Sequence, residues 1–182
     1  PEVAYNAREV LENYPMVQGI MKGEGEESFT ELVAYYGKLK ERKQLRDIEG
    51  LMFRDENGEI IETENRPILD LSTVPFVYEH IEDFQNRIIY YESSRGCPFS
   101  CSYCLSSIDK CLRFRKIELV KKELQFFIDH EVPQVKFVDR TFNCNKKRAI
   151  KIWKYIKEHD QGVTNFHFEI AADLLDEESL EV

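Results

Sequence analysis

The chain has 182 residues, with 34 acidic against 25 Lys and Arg side chains and a formal net charge of -9. That charge argues against a general nucleic-acid surface, and no apolar run approaches the ~20 residues of a membrane span. At 42% hydrophobic and 12% aromatic the chain can build a real core, as one domain or two small ones.

Residues 7–13 read as a short helix ahead of Pro15, and Val17 to Met21 as a short apolar strand. Gly23-Glu24-Gly25-Glu26 is a turn, and Ser28 is the expected N-cap of the next helix. Phe29, Leu32, Val33, Tyr36 and Leu39 keep helical spacing through about residue 42. This strand, turn and helix (residues 1–47) suit the C-terminal part of a doubly wound α/β domain. Leu51–Arg54 and Glu59–Glu62 flank Asp55-Glu56-Asn57-Gly58 and form a β-hairpin, with Asn-Gly supplying positive φ. Residues 65–87, with Pro67 and Pro75, form an ordered linker, so 48–87 is hairpin plus connector.

A β/α alternation begins at Ile88. Ile88–Tyr91 is a strand, 116–130 a helix with Leu119, Val120, Leu124, Phe127 and Ile128 on one face, and Gln134–Val138 a second strand. Residues 145–158 form a second helix with Ala149, Ile152, Trp153 and Ile156 inward. Asn165–Ile170 is a third strand, and a last helix begins near Leu175. Such alternation implies a parallel sheet with right-handed crossovers. The fold class is α/β, and its active end lies at the carboxyl ends of the strands. The unusual residues follow strands: a cysteine loop after the first, Asp139–Asn143 after the second, and Glu169 beside the third.

The cysteine loop carries the chemistry. Cys97, Cys101 and Cys104 crowd into eight residues with C-x3-C-x2-C spacing. With five cysteines in all, this is a metal pattern rather than a disulfide framework, and it suits a reducing cytoplasm. Structural zinc normally takes four protein ligands. An iron–sulfur cubane held by three thiolates keeps one iron free.

The motif resembles the radical S-adenosylmethionine (SAM) superfamily. Tyr91-Glu92-Ser93-Ser94-Arg95-Gly96-Cys97-Pro98 is similar to the lead-in of its subgroup with an N-terminal cobalamin-binding domain. So are Gly23-Glu24-Gly25-Glu26 and Phe137-Val138-Asp139-Arg140-Thr141-Phe142-Asn143. That subgroup includes the anaerobic magnesium-protoporphyrin IX monomethyl ester oxidative cyclase-like Fe-S oxidoreductases. The resemblance implies a partial radical SAM (β/α) barrel over 88–182, following the end of a cobalamin-binding-type domain. About three of the superfamily's six strand–helix units are present, and the chain opens on Pro1, so it is expected to be an internal stretch of a longer protein.

The same resemblance implies the cofactors. Cys97, Cys101 and Cys104 would each hold one iron of a 4Fe–4S cluster, whose remaining iron binds SAM. Reductive cleavage of SAM then gives a 5'-deoxyadenosyl radical that modifies an organic substrate. No catalytic side chain is expected beyond the cluster ligands. Tyr103 stands where the superfamily keeps an aromatic beside the adenine. Asp139–Asn143 replaces the Gly-Gly-Glu of many members, which makes Asp139 the candidate acceptor of the SAM amine. Arg140 would pair with a carboxylate nearby. Glu169 and His167 share the face opposite Phe166, Phe168 and Ile170, where Glu169 suits ribose or substrate. Cobalamin is implied for the longer protein only.

Two features stand beside the resemblance. Arg95 to Lys122 holds seven basic and two acidic residues, net +5. Arg113, Arg115, Lys116, Lys121 and Lys122 there could dock an acidic reductant such as flavodoxin or ferredoxin or form an ordinary solvated face. The rival readings are a zinc-stabilised α/β interaction module using Cys97, Cys101, Cys104 and Cys111, and a metal-free α/β scaffold.

Overall fold

The computed structural model describes residues 3–37, 44–107 and 111–182. The expected end of the second helix, at about residue 42, lies outside the described residues. Two compact units result, Pro1–Leu69 and Asp70–Val182.

The first unit is an antiparallel sheet carrying helices. β1 (Gly19–Met21), β2 (Leu51–Arg54) and β3 (Ile60–Glu62) lie in that order, with Ile20 opposite Met52 and Phe53 opposite Ile61. Alternation sends the two sides of β2 into different cores. Met52 and Ile20 pack with Ala7 and Leu11 of α1 (Ala7–Asn13). Leu51 and Phe53 pack with Ile48 and with Leu32 of α2 (Gly25–Tyr36). The hairpin, expected within a connector over 48–87, thus continues the sheet that β1 begins.

Two local details differ from the sequence reading. Helix α2 starts at Gly25, and Ser28 is buried in its second turn rather than capping it. The Ser28 hydroxyl donates to the Glu49 carbonyl (3.0 Å) and accepts from Arg66 Nε (3.1 Å). A tertiary partner has displaced the capping role. In the hairpin, Gly58 takes positive φ (83°) and Asn57 does not. Asp55 N–H donates to Glu59 and Gly58 N–H to Asp55, which closes a three-residue loop around a glycine.

The second unit is a parallel sheet. β4 (Ile89–Tyr91), β7 (Gln134–Phe137) and β8 (Asn165–His167) lie in sequence order. Tyr90, Lys136 and His167 form one row across it. α3 (Ile117–Asp129) and α4 (Lys146–His159) are the crossovers. The short α5 (Glu177–Glu181) ends the chain, capped by Asp176. Between β4 and α3 lies a small antiparallel pair, β5 (Ser94–Arg95) and β6 (Arg113–Phe114).

Helix α3 gives way to β7 by a compact stop. Glu131 takes φ 49°, Val132 N–H returns to the Phe127 carbonyl, and Glu131 N–H returns to Ile128. This is the left-handed C-terminal motif. It buries Val132 and turns the chain into the sheet within two residues.

One face of the sheet is apolar. Ile89, Tyr91, Val135 and Phe137 pack there with Val120, Leu124 and Phe127 of α3 and Ala149 and Ile152 of α4. Phe76, Tyr78, Ile81 and Phe84, from the stretch read as linker, pack against the same core. Tyr90 and His167 are exposed on the other face. Among the described residues the sheet is open, with no closed barrel. No described helix is long and apolar enough to cross a membrane.

Candidate metal centre

The cysteine loop leaves the sheet through a two-stranded neck. Ser94 pairs with Phe114 and Arg95 with Arg113, which closes the base of the cysteine-bearing loop that starts at Gly96. Gly96 opens it at φ 94°, and a Cβ there would lie 2.5 Å from the Cys111 carbonyl oxygen. Only glycine tolerates both the backbone angle and that approach. The Glu92 carboxylate holds Arg95 through two hydrogen bonds of 2.9 and 2.7 Å.

The three thiols differ in setting. Cys97 and Cys104 are half-buried, while Cys101 is exposed. Cys104 N–H donates to the Cys101 carbonyl at 3.2 Å, which turns the chain between these two. Cys97 Sγ lies 3.6 Å from the Thr141 hydroxyl. Among the described residues no three His, Cys, Asp or Glu side chains already converge as ligands of one metal ion. Sulfurs sharing one tetrahedral zinc would sit roughly 3.8 Å apart, whereas a cubane spreads its ligands over separate irons. Cys97, Cys101 and Cys104 supply the three thiolates that a cubane with one open iron takes, one fewer than structural zinc normally takes. Of the other cysteines, Cys111 is exposed and Cys144 half-buried, where burial pushes its thiol up.

Asp139 sits at the end of β7 and is 1% exposed. Its Oδ1 accepts from Ser93 N–H (2.7 Å), and its Oδ2 accepts from the hydroxyls of Ser93 (2.7 Å) and Ser94 (2.6 Å). The carboxylate therefore clasps the start of the cysteine loop to the sheet. Burial pushes its carboxyl up, against the lowering effect of the serine donors.

The other expected residues are placed more openly. Tyr103 is 90% exposed on the loop. Arg140 is exposed. Glu169 pairs with Lys136 at 3.3 Å, and its carbonyl accepts from Phe142 N–H. Phe166 and Phe168 pack into the core, which leaves His167 exposed on the opposite face, as alternation requires.

The basic stretch is less basic at the surface than in sequence. Arg115 is 7% exposed, and its guanidinium binds both oxygens of Glu123, itself 5% exposed on α3. It also donates to the Leu71 carbonyl, and Tyr91 Oη donates to Glu123 at 2.6 Å. Arg115 therefore belongs to a buried network behind the loop. Arg113, half-buried, donates to the Cys111 carbonyl.

Sequence reasoning missed three of these relationships: the serine clasp on Asp139, the Thr141–Cys97 contact and the Arg115–Glu123–Tyr91 network. Glu123 carried a signal, since it interrupts the apolar spacing of Val120, Leu124 and Phe127 on α3. The other two pairs are linked only by parallel strands far apart in sequence.

Known proteins resemble this chain over most of its length. An uncharacterized methyltransferase of Pyrococcus horikoshii is 31% identical over 174 residues, covering 90% of this chain and 37% of the relative. The anaerobic magnesium-protoporphyrin IX monomethyl ester cyclase of Cereibacter sphaeroides is 29% identical over 157 residues, 79% of this chain and 25% of the relative. The cobalamin-dependent radical SAM methyltransferase TokK of Streptomyces tokunonensis is 25% identical over 154 residues, 78% and 22% of the two chains. The fold matches that of OxsB, a cobalamin-dependent SAM radical enzyme solved with aqua-cobalamin and SAM, at TM-score 0.70 and 22% identity, over 94% of this chain and 25% of that one.

The chain resembles the cobalamin-linked radical SAM enzymes in sequence and in fold.

The radical SAM methyltransferase TsrM of Kitasatospora setae, solved with cobalamin and a [4Fe-4S] cluster, matches at TM-score 0.66 and 18% identity, over 93% of this chain and 36% of that one. No family model matches the chain. The chain spans 37% of the length of the Pyrococcus relative and 25% of the cyclase.

Proposed function

We propose that this chain is the cluster-bearing part of a radical SAM enzyme that modifies an organic substrate. The observation that carries the reading is the pinned loop: three thiols of C-x3-C-x2-C spacing, closed at its neck by β5 and β6 and opened by a glycine where any side chain would be strained and would push the Cys111 backbone aside. Cys97, Cys101 and Cys104 would hold a 4Fe–4S cluster, which, once reduced by an external electron donor, would supply the one electron needed for reductive cleavage of SAM.

The chain's own residues prepare the site. Gly96 lets the outgoing arm of the loop lie against the returning arm. Asp139 fixes Ser93 and Ser94, and with them the approach to Cys97. Tyr103 offers its exposed ring to the adenine of SAM. Glu169 and Arg140, at neighbouring strand ends, are available to the polar groups of SAM or substrate. Arg113, Lys116, Lys121 and Lys122 suit an acidic reductant such as flavodoxin or ferredoxin. A metal-type cysteine spacing fits a reducing, cytoplasmic setting. Cobalamin, bound by relatives, would be held by the longer protein outside this stretch, and methyl transfer and ring closure are both reactions of relatives.

Anaerobic reconstitution with iron and sulfide, followed by electron paramagnetic resonance with and without SAM, tests this. One cluster per chain whose spectrum changes on adding SAM is expected. A colourless chain holding stoichiometric zinc, or a cluster spectrum indifferent to SAM, would overturn it, the first in favour of a zinc-stabilised interaction module.

A further inference from the structure

We propose that Thr141 is a positioning residue for the metal centre, its buried hydroxyl donating a hydrogen bond to the Cys97 sulfur and setting how readily the cluster is reduced. This rests on the cluster reading above and goes beyond it.

The contact joins the sheet to the loop. Thr141 is 6% exposed, and its Oγ1 lies 3.6 Å from Cys97 Sγ, 44 residues earlier in sequence. A buried hydroxyl needs a partner, and the Cys97 sulfur lies within hydrogen-bonding reach of this one. A metal-bound thiolate can only accept, so the hydroxyl must donate.

The hydroxyl is held there by its neighbours. Two residues before it, Asp139 carries three serine donors. Immediately after it, Phe142 is buried in the core and its N–H donates to the Glu169 carbonyl at 2.9 Å. Asn143 then bonds Ala171 in both directions, its Nδ2 to the carbonyl (2.8 Å) and its Oδ1 from the N–H (2.9 Å). The residues on both sides of Thr141 are thus tied to the sheet and to the stretch after β8. The hydrogen bond therefore acts on a sulfur that the fold delivers to it.

The direction of the effect follows from charge. Reduction adds an electron to the cluster and makes its sulfurs more negative. A donor on one ligand sulfur stabilises the reduced form and raises the potential. Removing the donor while keeping the shape should make the cluster harder to reduce.

The test is a redox titration followed by paramagnetic resonance, on anaerobically reconstituted protein carrying this chain, its Thr141→Val variant and its Thr141→Ser variant. Thr141→Val is expected to lower the reduced-to-oxidised ratio about tenfold at a fixed potential, a negative shift of about 59 mV for one electron. Thr141→Ser, which keeps the donor, should titrate near the parent. A loaded Thr141→Val cluster titrating with the parent overturns the inference and leaves the cluster reading intact. A parent that takes up no cluster sinks both. Circular dichroism checks the fold, and if the valine variant does not fold, Thr141→Ala against Thr141→Ser makes the same comparison.

Discussion

Ser93 and Asp139 share two hydrogen bonds of 2.7 Å across 46 residues of sequence, one from the serine N–H and one from its hydroxyl. With Ser94 donating as well, the carboxylate is the tie between the end of β7 and the root of the cysteine loop. Desolvation by burial still raises its pKa above the usual value of 3.8. A folded pKa above the unfolded one means that Asp139 stabilises fully below the unfolded value and that this contribution is lost as pH rises through the folded value. An asparagine keeps the acceptor for Ser93 N–H, and the serine hydroxyls can rotate to accept from its amide. Asp139→Asn should therefore hold the fold and gain on the parent as pH rises from about 3 towards 7. Asp139→Ala leaves three donors without their acceptor and should cost about 2–4 kcal/mol. Urea midpoints of the metal-free chain across that range check both, and an asparagine variant that loses ground as pH rises contradicts the sign.

The buried pair behind the loop makes a second prediction. Arg115 Nη2 lies 2.5 Å and Nε 2.9 Å from the two oxygens of Glu123. Glu123→Ala strands a buried guanidinium and should cost about 3–5 kcal/mol. Replacing both partners at once, Arg115→Met with Glu123→Leu, should recover most of that loss, because no charge is left without its partner. Chemical denaturation of the single and double variants reads this directly. Burial and the Glu123 charge also hold the Tyr91 phenol well above its usual range, so its hydroxyl should stay protonated at pH values where exposed tyrosines titrate by ultraviolet absorbance.

Gly96→Ala meets a backbone atom, not a side chain that could swing away. The added carbon would lie 2.5 Å from the Cys111 oxygen, at a φ of 94° that alanine disfavours. A loss of about 1–3 kcal/mol is expected from the backbone angle alone. The arms of the loop must also part, so iron uptake on reconstitution should fall well below that of the parent. Parent-like iron content in this variant would contradict the close approach.

The Lys136–Glu169 pair should behave in the opposite way. Its side chains are 33% and 50% exposed, so Glu169→Gln should change stability by no more than about 0.5 kcal/mol. On the proposed function the same variant should weaken the change that SAM produces in the cluster spectrum. A variant that is clearly destabilised, or whose spectrum responds to SAM as the parent's does, contradicts that assignment.

Much of the architecture was legible because it is local. The short apolar run at Ile89–Tyr91, the alternation of Gln134–Phe137 and the 3.6-residue spacing in α3 and α4 mark strands and helices wherever the rest of the chain goes. The cysteine spacing is equally local, and so is the placement of Phe166 and His167 on opposite faces. Ser28 shows the limit: it has the chemistry of a cap, but Glu49 and Arg66 claim its hydroxyl. Arg115 shows it again, since a residue counted as surface charge is neutralised by a carboxylate one helix away.

By itself, the sequence determined the main helices and strands and the spacing of the three cysteines, since both follow from neighbours a few residues apart. The tertiary structure alone decided which polar side chains face one another at the strand ends. Asp139 meets Ser93, and Thr141 meets Cys97, because two parallel strands lie side by side. No local period encodes that pairing; it comes from burying the apolar face of the sheet under α3 and α4.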